Sequence, residues 1–100
     1  MENVEILKTL SNEYRLSILK LLKEPKKHFC NPSRVDEEEV GVCVREFQNV
    51  LDLSQSTISH YLSMLEKDQL LTATRIGKCT YYKRNDDTLL ELKKFISEEL

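Results

Sequence analysis

The sequence lacks the features that mark a membrane protein, an exported protein or a typical enzyme. No apolar run approaches the roughly 18 residues that a membrane span requires, and no charged-then-apolar leader opens the chain. With only 2 histidines and 2 glycines, it has no glycine-rich phosphate loop and no nucleophile with a base at a recognisable spacing. We therefore expect a cytoplasmic protein without enzymatic activity and without a membrane partner.

Cysteine is too scarce and too unevenly numbered for a disulfide framework. The chain has 3 cysteines and no export signal, so the thiols are expected to be reduced. Each thiol then has three interpretations: packing as a small apolar side chain, ligation of a soft metal or metalloid, or sensing of an oxidant.

The chain also lacks an excess of basic residues, since its formal net charge is −2 at pH 7. The charge is unevenly distributed, however. Residues 55–84 carry two acids and five bases, whereas residues 85–100 carry five acids and two bases. Attraction to phosphate depends on the local patch rather than the total, so binding to nucleic acid is not excluded. The 100 residues are expected to form a single domain, 1–100.

The stretch from Asp52 to Lys67 has a helical pattern with an unusual polar face. Ser54 is placed to cap a helix that begins at Gln55. Apolar side chains recur at helical spacing on one face, at Ile58, Tyr61, Leu62 and Leu65. The other face has only short polar side chains and a histidine, and no charge up to Met64. Taken alone, this pattern fits a helix that reads a DNA groove or a serine-rich helix that faces solvent.

The flanking segments favour the DNA-reading interpretation. Val44 to Leu51 predicts a short helix, joined to the Gln55 helix by a tight turn, which is a helix-turn-helix arrangement. Downstream, Leu71 to Ile76 and Cys79 to Arg84 predict two strands joined by a glycine-containing turn. A hairpin that follows a recognition helix is a wing.

These segments resemble the ArsR/SmtB family of bacterial winged-helix repressors. The matching pieces are LSNEYRLSILKLL, VCVREF, LSQSTISHYLSMLEKDQLL and RIGKCTYYKR, in the family's order over about four-fifths of the chain. The resemblance implies a mainly α fold with a small β-hairpin, a winged helix-turn-helix that binds double-stranded operator DNA as a homodimeric repressor and is released by an inducer. The residues expected to contact DNA are Gln55, Ser56, Thr57, Ser59, His60, Ser63, Arg75, Lys78, Lys83 and Arg84.

The first and last predicted helices carry apolar stripes that need a partner. Helices are predicted over Glu2 to Leu10, Glu13 to Lys23, and from Asp86 or Asp87 to the end. In the resemblance, the first and last helices pair across a two-fold axis. The expected dimer residues are Val4, Leu7, Leu89, Leu92 and Ile96. The last helix has no histidine, so the zinc site that some family members carry there is not expected.

The thiols leave the inducer open. Cys43 matches the first position of the family's Cys-x-Cys metal pair, but Arg45 occupies the second. Cys30 lies in Lys26 to Val40, an expected irregular connection that also holds His28 and an acidic run. Cys30 and Cys43 could still converge on a soft metal or metalloid, with His28 or Cys79 as a third ligand, or sense an oxidant. Otherwise the cysteines are structural, and no cofactor is certain.

An alternative function is a winged-helix module that binds another protein instead of DNA. The negative total charge permits it, and the fold alone does not exclude it. A protein-binding face would, however, show exposed apolar or aromatic anchors, which the polar face beginning at Gln55 lacks. The sequence therefore favours DNA.

Overall fold

The helices and strands follow one another in the order expected of a helix-turn-helix followed by a wing. The computed structural model describes residues 3–29 and 36–100. The helices in these ranges are α1 (Asn3–Leu10), α2 (Glu13–Lys23), α3 (Pro25–His28), α4 (Val44–Val50), α5 (Gln55–Lys67) and α6 (Asp86–Glu99). The strands are β1 (Val42–Cys43), β2 (Leu71–Ile76) and β3 (Cys79–Arg84).

Side-chain caps explain where the two central helices begin. The Asn12 side-chain oxygen accepts hydrogen bonds from the backbone N–H groups of Tyr14 and Arg15 at 2.9 and 3.0 Å. At α5, the Ser54 hydroxyl accepts the N–H of Thr57 at 3.2 Å. The predicted bounds of α2 and α5 are therefore confirmed at both ends.

The sheet has three antiparallel strands in the order β1-β3-β2, one strand more than the predicted hairpin. The added strand β1 pairs Val42 with Tyr82 and Cys43 with Tyr81. Gly41 permits this approach, because its φ is +122° and a Cβ atom there would lie 2.5 Å from the carbonyl oxygen of Tyr82. The mainly α fold with a winged helix-turn-helix is confirmed, and the wing is anchored on a third strand.

In its described residues, the connection between α2 and β1 contains a short helix and turns, where the sequence predicted an irregular segment. Pro25 stops α2 and opens the short helix α3, and Glu37 to Val40 form turns that the Asp36 carboxylate caps by accepting the N–H groups of Glu38 and Glu39. Those hydrogen bonds lower the pKa of Asp36. Cys30, in residues 30–35, lies outside the described residues.

A cluster of apolar side chains from every long helix and from the sheet forms the core. Its buried members are Ile6, Ile18, Leu19, Leu22, Phe29, Val42, Phe47, Ile58, Leu62, Leu65, Leu70, Leu71 and Leu92. Leu92 is only 6% exposed, so it belongs to this core and is not part of an exposed dimer stripe as the sequence suggested. Leu89 is half-buried against the same core.

Apolar side chains remain exposed on α1 and α6. Val4, Leu7 and Ile96 are 61, 37 and 46% exposed, and Leu90 and Leu100 are also exposed on or next to α6. In the two described ranges, no helix combines the length and the apolar character needed to cross a bilayer.

Candidate nucleic-acid interface

The outer face of α5 is polar and uncharged in its first two turns, as the sequence indicated. Gln55, Ser56, His60 and Ser63 are exposed and Ser59 is half-buried, whereas Ile58 and Leu62 are fully buried. Short hydroxyl and amide side chains on an exposed helix can approach base edges closely. This face, defined by Gln55, Ser56, Ser59, His60 and Ser63, is called the reading face below.

Thr57 has a different role from its neighbours on α5. Its backbone N–H donates to the Ser54 hydroxyl, and the Ser54 hydroxyl donates to the Thr57 Oγ1 at 2.9 Å. Thr57 is half-buried in this capping arrangement, so its hydroxyl stabilises the start of the helix.

Helix α4 and the turn after it fix the start of α5. Phe47 is fully buried, and its carbonyl oxygen accepts the N–H of Leu51 at 2.8 Å, which ends α4. Leu53 then donates to the carbonyl oxygen of Leu51 at 2.9 Å. This tight turn brings α5 across α4, as the helix-turn-helix prediction requires.

The far end of α5 is tied to the first two helices. The Thr9 hydroxyl of α1 donates to the Asp68 carboxylate that follows α5. The Arg15 guanidinium of α2 donates to the Thr9 carbonyl oxygen at 2.6 Å and lies 5.3 Å from the ring centroid of Tyr61 on α5. These contacts, called the Thr9–Asp68 brace, hold the end of α5 against α1 and α2.

A cleft of about 520 Å³ separates α5 from the wing. It is called the α5–wing cleft, and its lining residues are Cys43, Val44, Arg45, Gln55, Ser59, Arg75, Lys78, Cys79, Thr80 and Tyr82. These include three bases and no acid. The cleft therefore combines two members of the reading face with a positive wall, which suits an anionic backbone.

The structure brings Arg75 and Lys78 to this cleft, at the tip of the wing. Arg75 Nε donates to the carbonyl oxygen of Gly77 at 3.0 Å, so its guanidinium also braces the turn. Gly77 has a φ of +61°, which a glycine adopts without strain. Lys78 is exposed.

The other two predicted wing bases are not brought to the cleft. Arg84 has a side chain only 19% exposed, and it bonds to the Asp86 carboxylate at 3.1 Å and to the Leu19 carbonyl oxygen at 3.3 Å. It therefore joins β3 to α2 and α6. Lys83 is exposed, and its Nζ lies 3.4 Å from the carbonyl oxygen of Glu39.

Arg45 is a cleft residue that the sequence reasoning treated only as a missing metal ligand. Its Nη2 lies 3.7 Å from the sulfur of Cys79, a long hydrogen bond to a thiol. The hydrogen bond with the Cys43 thiol and the proximity of Cys79 raise the pKa of Arg45. The pairing of β1 with β3 is what brings Arg45 beside Cys79, and the sequence pattern does not predict β1.

Two of the three cysteines, Cys43 and Cys79, lie in the α5–wing cleft. Cys43 is buried and Cys79 is half-buried, and both line the α5–wing cleft. Among the described residues, no group of three or more His, Cys, Asp or Glu side chains is arranged to hold a metal ion. His28 is exposed on α3. The expected partner Cys30 lies outside the described residues.

Two carboxyl groups are buried, Glu37 in the turn before β1 and Glu46 on α4. Glu37 and Glu46 are each 8% exposed, and one oxygen of Glu37 has no hydrogen-bond partner in the part of the chain that the structure describes. Burial, then the proximity of Glu46, raises the pKa of Glu37, and burial raises the pKa of Glu46.

Comparisons with known proteins agree with this architecture. The family "Bacterial regulatory protein, arsR family" matches residues 39–73. The chain is 45% identical over 100 residues, all of both proteins, to the uncharacterized HTH-type transcriptional regulator YbzH of Bacillus subtilis. It is 36% identical, over 90% of this chain and 62% of the other, to a putative arsenical resistance operon repressor, ArsR, of Halobacterium salinarum.

A solved structure of a related regulator has the same fold. The transcriptional regulator HlyU of Vibrio vulnificus superimposes with a TM-score of 0.61 at 29% identity, over 94% of this chain and 83% of the other. The match of sequence and fold covers the helix-turn-helix and the wing together. The chain therefore belongs to the arsR family of bacterial regulatory proteins and is a DNA-binding transcriptional regulator.

Proposed function

We propose that the protein is a homodimeric repressor that places two α5 helices in successive major grooves of a palindromic operator. The observation that carries this proposal is the uncharged reading face beside a cleft with three bases and no acid. The alternative of a protein-binding module is not favoured, since the relatives are named transcriptional regulators and the exposed side of α5 is polar.

The residues of the interface divide between base reading and phosphate contact. The reading face approaches base edges in the major groove, where amide and hydroxyl groups distinguish base pairs. Arg45, Arg75 and Lys78 line the adjacent cleft and contact the phosphate backbone, which positions α5 without reading sequence. Exposed Lys83 adds to the local positive charge, whereas Arg84 is engaged within the protomer.

The proposed dimer uses the exposed apolar side chains of the terminal helices. Val4, Leu7 and Ile96 stay in contact with solvent in the single chain, although each is large and apolar. A second copy related by a two-fold axis would cover them and add buried surface to a small domain. It would also present the two reading faces about 34 Å apart, one helical turn of DNA.

The proposed regulator acts in the cytoplasm and leaves its operator when an inducer binds. Release requires the inducer to favour the arrangement that does not bind DNA, by about 1 to 3 kcal/mol for ordinary coupling. Soft metals, metalloids and oxidants are the candidate inducers, because two thiols line the cleft.

The proposal is tested by binding to DNA from upstream of the protein's own gene. Ser56→Ala and His60→Ala each remove one side chain of the reading face and are expected to weaken specific binding by about 1 to 3 kcal/mol. Ser97→Ala removes an exposed serine from α6 and is the matched control, expected to bind as the wild type does. Fluorescence anisotropy with operator and scrambled duplexes measures both affinities.

Two results would refute the reading face. Equal affinity of both variants and wild type for the operator would show that α5 does not read bases through Ser56 and His60. Equal affinity of the wild type for operator and scrambled DNA would remove sequence recognition from the function.

A further inference from the structure

The α5–wing cleft brings together two cysteines that lie far apart in the sequence. Strand β1 pairs Cys43 with Tyr81 of β3, and Cys79 is two residues before Tyr81 on the same strand. Side chains two residues apart on a strand point to the same face of the sheet. Cys79 is therefore a diagonal neighbour of Cys43, and both thiols line one open cleft.

The surroundings of the two thiols suit an oxidant better than a metal cation. Arg45 Nη2 lies 3.7 Å from the Cys79 sulfur, and Arg75 and Lys78 line the same cleft without any acid. Three positive charges oppose the entry of a further cation. Reactive cysteines characteristically lie in electropositive, partly exposed surroundings, because the thiolate is the nucleophile. Cys79 is half-buried and so reachable from the cleft, whereas Cys43 is buried behind it.

We propose that Cys79 and Cys43 form a peroxide-sensitive thiol pair, in which Cys79 reacts first and Cys43 resolves the product to a disulfide that weakens DNA binding. This inference concerns regulation and rests on the proposed function for its effect on DNA, although the thiol chemistry does not depend on it. It assigns the redox role to a pair that includes the wing, not to Cys30 with Cys43.

The chemistry balances with hydrogen peroxide as the only co-reactant. The Cys79 thiolate attacks one peroxide oxygen, the O–O bond breaks, and the leaving hydroxide takes up the thiol proton as water. The Cys43 thiolate then attacks the sulfur of the Cys79 sulfenic acid, the S–O bond breaks, and a second water leaves. Two thiols lose two electrons, and one peroxide becomes two waters.

The geometry explains how the bond would affect the cleft. Diagonal neighbours across antiparallel strands have Cα atoms about 7–8 Å apart, whereas bridged cysteines are usually at about 4.4–6.8 Å. Closing the bond therefore draws β3 toward the start of α4. Arg45 would lose its thiol contact, and the wing bases Arg75 and Lys78 would move relative to the reading face.

The test treats the reduced full-length chain with stoichiometric hydrogen peroxide, in the absence of DNA, and maps the products. Trypsin places the three cysteines on separate peptides, because Arg34 lies between Cys30 and Cys43, and Arg45 and Lys78 lie between Cys43 and Cys79. The expected product is a Cys43–Cys79 peptide pair, 2 mass units lighter than the two thiols. Cys30→Ser should form the same pair. In Cys43→Ser, dimedone should trap a sulfenic acid on Cys79.

The rate identifies the role of Arg45. Arg45→Gln removes the cation beside Cys79 and should slow oxidation by about fivefold, whereas Arg45→Lys keeps the charge and should restore most of the rate. Equal rates for wild type and Arg45→Gln would overturn the role of the guanidinium.

The effect on DNA is measured separately. Oxidised wild type should bind the operator at least tenfold more weakly than reduced wild type, and dithiothreitol should reverse the loss. Cys43→Ser and Cys79→Ser should lack the reversible disulfide. A Cys30–Cys43 pair as the main product, or a Cys43–Cys79 disulfide without any loss of affinity, would overturn the inference. If reduced wild type did not bind the operator at all, the proposed function would fail, while the peptide map would still decide the thiol chemistry.

Discussion

Single side chains at the wing tip are expected to affect DNA binding differently from those of the reading face. Lys78 is exposed at the wing tip and lines the α5–wing cleft, so we expect its charge to act on phosphate whatever the DNA sequence. Arg75 combines that charge with its bond to Gly77. Because phosphate contact does not depend on base sequence, removing a wing base should weaken binding to every DNA sequence alike.

Lys78→Ala is expected to weaken binding to operator and scrambled DNA by the same factor. It should also reduce the salt slope, the magnitude of the change in log affinity with log salt concentration, by about one. Arg84→Ala is the contrasting variant. Its guanidinium bonds to Leu19 and Asp86, so its loss should lower the melting temperature and leave the salt slope unchanged. Affinity measured from 50 to 300 mM salt checks both. A slope reduced by Arg84→Ala but not by Lys78→Ala would reverse the assignment.

The buried carboxyl groups give a pH dependence whose sign is fixed by their burial. The pKa values of Glu37 and Glu46 are raised above the ordinary 4.5, so the folded state holds their protons more tightly than the unfolded state does. The stability that the protonated groups contribute is complete below pH 4.5 and is lost as the pH rises through the raised pKa values. Neutral pH therefore leaves a desolvated negative charge at this site.

Glu46→Gln keeps the shape of the side chain without a titrating group. We expect it to raise the melting temperature at pH 7.5 and to have little effect at pH 4. Glu38→Gln, an exposed neighbour, is the control and should change stability by less than about 0.5 kcal/mol at either pH. Thermal unfolding followed by circular dichroism at the two pH values measures the difference. A destabilised Glu46→Gln at pH 7.5 would mean that the carboxylate has a favourable ionic role.

Among the elements, strand β1 depends on one glycine. A Cβ atom at Gly41 would meet the Tyr82 backbone at 2.5 Å, and the φ of +122° disfavours any other residue. Gly77 also has a positive φ, +61°, but nothing lies within 4 Å of the Cβ position there. Gly41 is thus required by both steric overlap and backbone conformation, whereas Gly77 is favoured by backbone conformation alone.

Gly41→Ala should destabilise the protein by about 2 to 4 kcal/mol, because backbone strain and overlap with β3 act together. Gly77→Ala, its matched control, should cost only about 1 to 2 kcal/mol, the ordinary penalty of the left-handed region. Urea unfolding of both variants gives the two values. If the control lost more stability than Gly41→Ala, β1 would not depend on close contact with β3.

The long elements could be predicted from the sequence because their signals are local. The periodicity of α5, the Ser54 cap and the turn at Gly77 all act within a few residues. Strand β1 has two residues, too few for any periodicity, and its partner lies about 40 residues further on. The same limit hid the position of Cys79 beside Arg45 and the bond of Arg84 to Leu19, since both are long-range contacts.

At the scale of the whole molecule, the terminal helices decide the proposed assembly. Leu92 faces the core and Ile96 does not, although both lie on the stripe that the sequence showed. A charge at position 92 would unfold the protomer through a buried, unpaired carboxylate. Ile96 is therefore the residue at which assembly can be tested without disturbing the fold.

Ile96→Glu is expected to yield a folded monomer whose affinity for a palindromic operator falls by at least tenfold. Val50→Glu is the matched control, because Val50 is 40% exposed on α4, away from the terminal helices, and its variant should remain a dimer. Sedimentation velocity at micromolar concentration measures the mass, and circular dichroism verifies folding. A wild type that sediments as a monomer would refute the two-fold arrangement.

The Thr9–Asp68 brace fixes the direction of α5 relative to α1 and α2 within one chain. The start of α5 is set by Ser54 and α4. Its end is tied through Thr9 to α1, one of the two helices of the proposed dimer contact, and through Arg15 to α2. In the proposed dimer, a small rotation between the two copies would therefore move both reading faces by the same angle. The proposed dimer would then tolerate little variation in half-site spacing, because the distance between its two α5 helices would change only when the two copies move relative to each other.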